Sequence, residues 1–236
     1  MKASDLKSLN QARSAKQQAA LVTPISGGSQ TLVVDGDVVS GPELDASLKV
    51  ELAAAFAADR SRMIGEGEDR TFIHIFNPPK RMILVGAVHI AQSLAPMAAL
   101  SGYDVTVIDP RGAFATNERF PGVTLITEWP DDAMPKLTPD RRTAIVTLTH
   151  DPKIDDPALV AALNSEAFYI GSLGSRRTHA SRLERLRAEG FGDTELDRIH
   201  GPVGLNIGAV SPAEIAISIL GQVTEVLHRP RQDKAA

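Results

Sequence analysis

The chain has 236 residues, 43% of them hydrophobic, which is enough for one large domain or two small ones with a buried core. Only 4% are aromatic and the net charge is −4 without a long basic run, which argues against nucleic acid, whose binding needs stacking platforms or clustered Lys and Arg. The absence of cysteine fits a reducing compartment and excludes thiolate, persulfide and Cys-based zinc chemistry on this chain.

Residues 1–20 are polar, with a thin stripe from Leu6 and Leu9, and read as a helix or a frayed end rather than a signal peptide. No apolar run approaches the roughly 20 residues that span a membrane, so the sequence reads as a soluble, cytoplasmic protein. Short β-like runs at 20–22 and 31–34 flank the turn Pro24-Ile25-Ser26-Gly27-Gly28, and Asp35-Gly36-Asp37 predicts a hairpin into Val38-Val39. A helix is expected from Pro42 to about Arg60 and a strand over 71–76. Asn77-Pro78-Pro79 then marks a boundary, because two prolines stop strand pairing and stiffen a link. The expected organisation is a small α+β domain over 1–79 and a second domain over 80–236.

In the second domain strands are expected at 82–85, 104–108, 123–126, 143–148 and 168–170. Helices are expected at about 89–101, 157–163, 176–189 and 212–228. The strands are continuous Val/Ile/Leu runs without polar alternation, as in strands buried on both faces. Their alternation with helices predicts an α/β, Rossmann-like doubly wound parallel sheet.

The first βα turn reads Val85-Gly86-Ala87-Val88-His89-Ile90-Ala91. A dinucleotide fingerprint wants Gly-x-Gly-x-x-Gly or Ala, so Gly86 and Ala91 fit and Val88 breaks the pattern. A β-branched residue there is expected to obstruct a pyrophosphate and to resist positive φ. Asp109, 23 residues after Gly86, ends the next strand where an acid would hold a ribose hydroxyl. This loop reads as a plain tight turn, as a site for NAD, or as a crevice for a modified ligand.

A second glycine cluster, Ile170-Gly171-Ser172-Leu173-Gly174-Ser175-Arg176-Arg177, ends a strand and opens a helix. Ser175 is the expected N-cap, the glycines permit close backbone approach, and Arg176 with Arg177 can clamp an anion at the helix start. The bland alternative is a capped helix with solvated arginines. Ser211-Pro212-Ala213-Glu214 is a capping box, and the three glycines at 201, 204 and 208 suggest close approach to a ligand or to the fingerprint loop. The six histidines lack metal-site spacing. His89 and His150 fall where strand ends open onto the crevice, as catalytic groups or as surface or capping residues. Asp151 follows His150 without a nucleophile elbow.

The runs Gly86-Ala87-Val88-His89, Val107-Ile108-Asp109-Pro110-Arg111, Phe114-Ala115-Thr116, Glu118-Arg119-Phe120-Pro121, 170–177 and Gly204-Leu205-Asn206-Ile207-Gly208-Ala209 resemble the XdhC/CoxI family. These are accessory proteins of xanthine dehydrogenase and related molybdenum hydroxylases, and the resemblance covers about residues 72–228. It implies a non-catalytic chaperone that binds the molybdenum cofactor, as molybdopterin or its cytosine dinucleotide. Such a protein assists sulfuration by a cysteine desulfurase and hands the cofactor to an apo molybdenum hydroxylase. The implied cofactor-binding residues are Gly86, Val88, His89, Asp109, Arg111, Gly171, Ser172, Gly174, Ser175, Arg176, Arg177 and Asn206, with no metal ligands and NAD(P) disfavoured. Against the family pattern, Val88 replaces a usual glycine and Asn206 a usual aspartate, and the region before the Rossmann-like part is short and cysteine-free. The competing readings are an NAD(P)-dependent oxidoreductase using Gly86, Ala91 and Asp109, and an interaction protein that recruits a molybdoenzyme without cofactor. A homodimer is the base-rate expectation for oligomeric state.

Overall fold

A computed structural model describes residues 2–228. The chain divides into two compact units, Met1–Pro79 and Lys80–Ala236.

The first unit runs α1 (Ala3–Ser14), β1 (Ala19–Pro24), β2 (Thr31–Val34), β3 (Asp37–Ser40), α2 (Ala46–Ala57), β4 (Arg62–Ile64) and β5 (Thr71–Phe76). Its five strands form an antiparallel sheet in the order β3-β2-β1-β5-β4. Strand alternation sends Ala19 and Leu32 to a cluster with Leu9 and Ala12 of α1, and Ala20 and Val33 to a cluster with Leu52 and Ala55 of α2. The two helices therefore cover different sets of strand side chains. Asp35 and Gly36 both adopt positive φ, 49° and 93°, the geometry a two-residue hairpin loop needs.

The helix expected from Pro42 begins instead at Ala46. Asp45 is its N-cap and accepts a bond from the Leu48 amide at 2.8 Å, while the Pro42 carbonyl is taken by the Thr31 hydroxyl at 2.8 Å. Before it, Gly41 has φ +94°, and a Cβ there would lie 2.2 Å from the Gln30 carbonyl oxygen. The Gln30–Thr31 backbone cannot yield, so Gly41→Ala is expected to destabilise the chain by about 2–3 kcal/mol. Urea unfolding followed by circular dichroism checks this, and an unchanged midpoint would count against the packing described.

The second unit contains β6 (Lys80–Val85), α3 (His89–Leu100), β7 (Tyr103–Ile108), β8 (Thr124–Ile126), α4 (Pro130–Leu137), β9 (Thr143–Thr147), α5 (Pro152–Leu163), β10 (Tyr169–Ser172), α6 (Arg176–Ala188), α7 (Asp193–Leu196), β11 (Ile199–His200) and α8 (Pro212–His228). Every strand pair is parallel, and the order is β11-β10-β9-β6-β7-β8. The chain starts in the middle of the sheet, runs outward to β8, and returns to lay β9 beside β6. That reversal makes the carboxyl ends of β6 and β9 the switch point, where open α/β sheets form their ligand crevice.

Alternation within β6 serves both faces. Met82 and Leu84 pack with Leu94 and Ala98 of α3 and Ile219 and Val223 of α8, whereas Ile83 and Val85 pack with Met134 of α4 and Leu159 and Ala162 of α5. Four segments differ from expectation, among them the short helix α7 and the two-residue edge strand β11, which were not expected at all. Helix α5 starts at Pro152 rather than 157, because Asp151 caps it by accepting from the Lys153 amide at 3.0 Å, and Pro157 lies inside the helix. Helix α4 carries two prolines, at Pro130 and Pro135, which masked it in the sequence.

Candidate functional site

The fingerprint loop is fixed from three sides. The Gly86 amide donates to the Ile108 carbonyl at 2.8 Å, and the Leu148 amide to the Val85 carbonyl at 2.9 Å. Gly86 itself has φ +112°, and a Cβ there would meet the Thr149 methyl at 2.5 Å, so this glycine is required by the end of β9. The third tie is Asp109. It is fully buried, and its carboxylate accepts four hydrogen bonds: from the Ala87 amide (2.8 Å), the Arg111 amide (3.0 Å), Arg111 Nε (2.9 Å) and Arg111 Nη2 (2.8 Å). Burial by itself would raise the Asp109 pKa, but the bonds from Arg111 and Ala87 outweigh it and hold the carboxyl below its ordinary value.

Two sequence expectations change here. Val88 is the N-cap of α3 with φ −88° and ψ 173°, an extended conformation that suits a β-branched residue, and its side chain packs partly against the core. Positive φ is needed at Gly86 and not at Val88, so the supposed strain does not exist. Asp109, in turn, is occupied by Arg111 and the loop amide, which leaves no free oxygen pointing to a ribose. Arg111 on Asp109 thus stands against an ordinary dinucleotide site beside the bulk of the Val88 side chain.

Val88 contributes no side-chain acceptor to α3, so the first-turn amides of this helix are left without the cap that Asp151 gives α5 and Ser175 gives α6. His89 is exposed in that first turn. Arg111 is raised in pKa mainly by Asp109 and more weakly by the charges of Asp151 and Asp155, which sets its guanidinium within electrostatic reach of the start of α5. The same guanidinium lies over the half-exposed Phe114 ring at 4.8 Å from the centroid, and Arg119 lies near that ring at 5.7 Å.

In the second glycine cluster only part of the sequence faces solvent. Gly171 is buried, and a Cβ on it would strike Val203 at 2.5 Å and the Tyr169 ring at 2.8 Å. Ser172 is fully buried and shares a 2.5 Å hydrogen bond with the Thr147 hydroxyl, which cross-links β10 to β9. Both residues serve sheet packing instead of touching a ligand through their side chains. Gly174 takes φ +148° to turn the chain into α6, and Ser175 caps that helix by accepting from the Thr178 amide at 3.1 Å. Arg176 and Arg177 are exposed, and neither side chain has a partner among the described residues.

The terminal loop is packed in the same way. Gly204 approaches α8, since a Cβ there would lie 2.4 Å from the Ser218 hydroxyl, and Gly201 lies against the His179 ring. Gly201 and Gly204 thus admit helices α6 and α8, whereas Gly208 is exposed with open space around it. Ser211 and Glu214 form the expected capping box, with Glu214 accepting from the Ser211 amide at 2.8 Å. Asn206 is exposed in this loop. Among the described residues, no group of three or more His, Asp or Glu could hold a metal ion, and no helix is long and apolar enough to cross a membrane.

The XdhC Rossmann domain family matches residues 82–223. The chain belongs to this family. It is 32% identical over 158 residues to a molybdenum cofactor insertion chaperone, PaoD, of Escherichia coli, covering 67% of this chain and 43% of the relative. It is 34% identical over 159 residues to a probable xanthine dehydrogenase component of Bacillus subtilis, covering 67% and 46% respectively. A solved structure described as a xanthine dehydrogenase from Bacillus halodurans superposes with a TM-score of 0.74 at 25% identity, over 98% of this chain and 66% of that one. The chain thus spans less than half the length of these two curated relatives.

In this XdhC-family chain the end of β9 joins the two predicted clusters. Thr149 contacts Gly86, while Thr147 holds Ser172 and accepts from the Leu173 amide at 2.9 Å. Thr149 and His150 in turn donate to the buried Asp155, from the Thr149 hydroxyl at 2.7 Å and the His150 amide at 3.0 Å. Sequence reading passed over Thr149, Asp155, Arg182 and the Phe114–Arg119 pair as ligand-facing or supporting groups. Thr149 left a signal, a polar residue just past a buried strand; Asp155 inside α5 and Arg182 inside the Arg/Glu-rich α6 left none.

The Asp109 bonds have a pH signature. Its pKa is lowered, so its stabilisation is complete above the ordinary value of 3.8 and fades as pH falls below that value. Asp109→Asn is expected to cost about 2–4 kcal/mol at pH 7. In urea unfolding the difference from the parent should narrow below pH 3.8; an equal gap at both pH values would show that the charge on Asp109 is not what binds the loop.

Proposed function

We propose that the protein is an accessory factor that binds the molybdenum cofactor and supports its maturation and insertion into a molybdenum hydroxylase of the xanthine dehydrogenase type. The observation that carries this reading is the pair Arg176 and Arg177, without a side-chain partner among the described residues at the start of α6, where amides and dipole already favour an anion. The uncapped start of α3 at the switch point offers a second set of free amides to the same class of cargo. Family membership and the names of the relatives support it.

On this reading the role is carriage without turnover: Asp109 is fully committed to Arg111 and Ala87, and the groups left for a ligand are binding groups. Gly86 and Gly174 shape the two loops, His89, Arg111 and Asn206 border the cargo, and the phosphorylated end lies toward α6. Sulfur would pass from a partner cysteine desulfurase directly to bound cofactor, since this chain has no thiol. The setting would be cytoplasmic and the assembly a homodimer.

The purified chain is mixed with molybdopterin and passed over a sizing column, with NADH fluorescence titration as a parallel arm. Molybdopterin should co-elute with the parent protein, and the Arg176→Ala/Arg177→Ala double variant should retain at least about tenfold less. Absence of co-elution, or equal retention by the double variant, would overturn the reading. Tight, saturable NADH binding by the parent protein would favour an oxidoreductase instead.

A further inference from the structure

A charged cleft of about 240 Å³ lies between the N-terminal halves of α5 and α6, lined among others by His150, Asp155, Asp156, Arg177, Arg182 and Arg185. Its charges do not cancel. Asp156 is held by Arg185 through bonds of 2.5 and 3.0 Å. Asp155 accepts from Thr149 and His150 and is ion-paired with Arg182, whose Nη2 stands 3.7 Å away, too far for a hydrogen bond. Three arginines against two carboxylates leave one positive charge, and the dipoles of α5 and α6 both present their positive ends here.

Arg182 is the anomaly. It is 2% exposed, yet it makes one hydrogen bond, from Nη2 to the Leu173 carbonyl at 3.0 Å. Its Nε and Nη1 are buried with no hydrogen-bond partner among the described residues. A buried guanidinium with two unsatisfied donors is a costly arrangement unless something else accepts from it. Arg177, on the exposed side of the same cleft, is also unpartnered. A group with several anionic oxygens would satisfy both, because the planar guanidinium fork matches phosphoryl geometry.

We propose that this cleft is a phosphoryl-binding subsite that takes a terminal phosphate or a diphosphate, with Arg182 and Arg177 donating and His150 at its rim. The inference rests on the cargo reading above for the identity of the ligand, whose phosphorylated end would enter here. It extends that reading from the exposed Arg176-Arg177 pair to a built cleft with a buried donor.

Calorimetric titration of the full chain at fixed ionic strength tests it, with inorganic phosphate, pyrophosphate and cytidine monophosphate as probes. One saturable equivalent of phosphate or pyrophosphate is expected, weakened about tenfold by Arg177→Ala, which removes one charged donor. Stronger binding of pyrophosphate points to a diphosphate ligand, and stronger binding of phosphate or the nucleotide to a monoester. Because Arg182 variants can fail to fold, Ser181→Glu supplies a second arm. Ser181 is exposed on α6 and lines the cleft, so the variant places a carboxylate there without touching the core. It should abolish anion binding with an unchanged circular dichroism spectrum. No saturable binding by the parent, or binding unaltered in both variants, overturns the subsite. Molybdopterin retention by the same variants separates the two ideas. Retention unchanged in Ser181→Glu leaves the cargo reading standing and sinks the subsite, whereas anion binding lost in Ser181→Glu while the parent retains no molybdopterin upholds the subsite and sinks the cargo reading.

Discussion

The buried carboxylate of Asp109 governs this site. It sits at the end of β7, reaches the loop after β6 through the Ala87 amide, and holds the Arg111 fork with both oxygens. A buried carboxylate is tolerated only when its lone pairs are filled, and here all the filling groups come from the two loops that border the crevice. The fingerprint loop, the course of the β7–β8 connection and the position of Arg111 are therefore one coupled arrangement. The same arrangement removes the acid that an ordinary dinucleotide site offers to a ribose.

The end of β9 is the second constraint. It abuts Gly86 on one side through Thr149 and binds the β10 loop on the other through Thr147. Gly86 and Ser172 are consumed by these packings, Gly171 by Val203 and Tyr169, and Ser175 by its cap on α6. The groups left to face a ligand are few: the uncapped start of α3, the exposed Arg176 and Arg177, and the cleft beside Arg182. All three present amide or guanidinium donors, the groups that the proposed phosphorylated cargo would need.

Residue patterns foretold the sheet well because burial on both faces writes itself into a strand as an unbroken Val/Ile/Leu run, as in residues 82–85 and 143–148. Local chemistry was equally plain where one side chain acts on its neighbours: Ser175 caps α6, Ser211 with Glu214 boxes α8, and Asp35-Gly36 turns the hairpin. Helix starts were misjudged where two candidates competed, so that Asp45 displaced Pro42 and Pro152 displaced Pro157. Helix α4 went unseen because its prolines argue against a helix whose packing of Ala133 and Met134 nonetheless holds it.

By itself the sequence determined the Rossmann-like architecture, the loops that carry the site and the family motifs within them, since these depend on periodicity and on short-range spacing. Only the tertiary structure decided what each loop residue does. Whether Gly171 meets a ligand or Val203, whether Asp109 is free or bound to Arg111, and whether Val88 needs positive φ are settled by neighbours distant in the chain. The broken fingerprint illustrates the division: φ of −88° removes the strain expected at Val88, and the buried Asp109–Arg111 pair adds an obstacle that no local pattern shows.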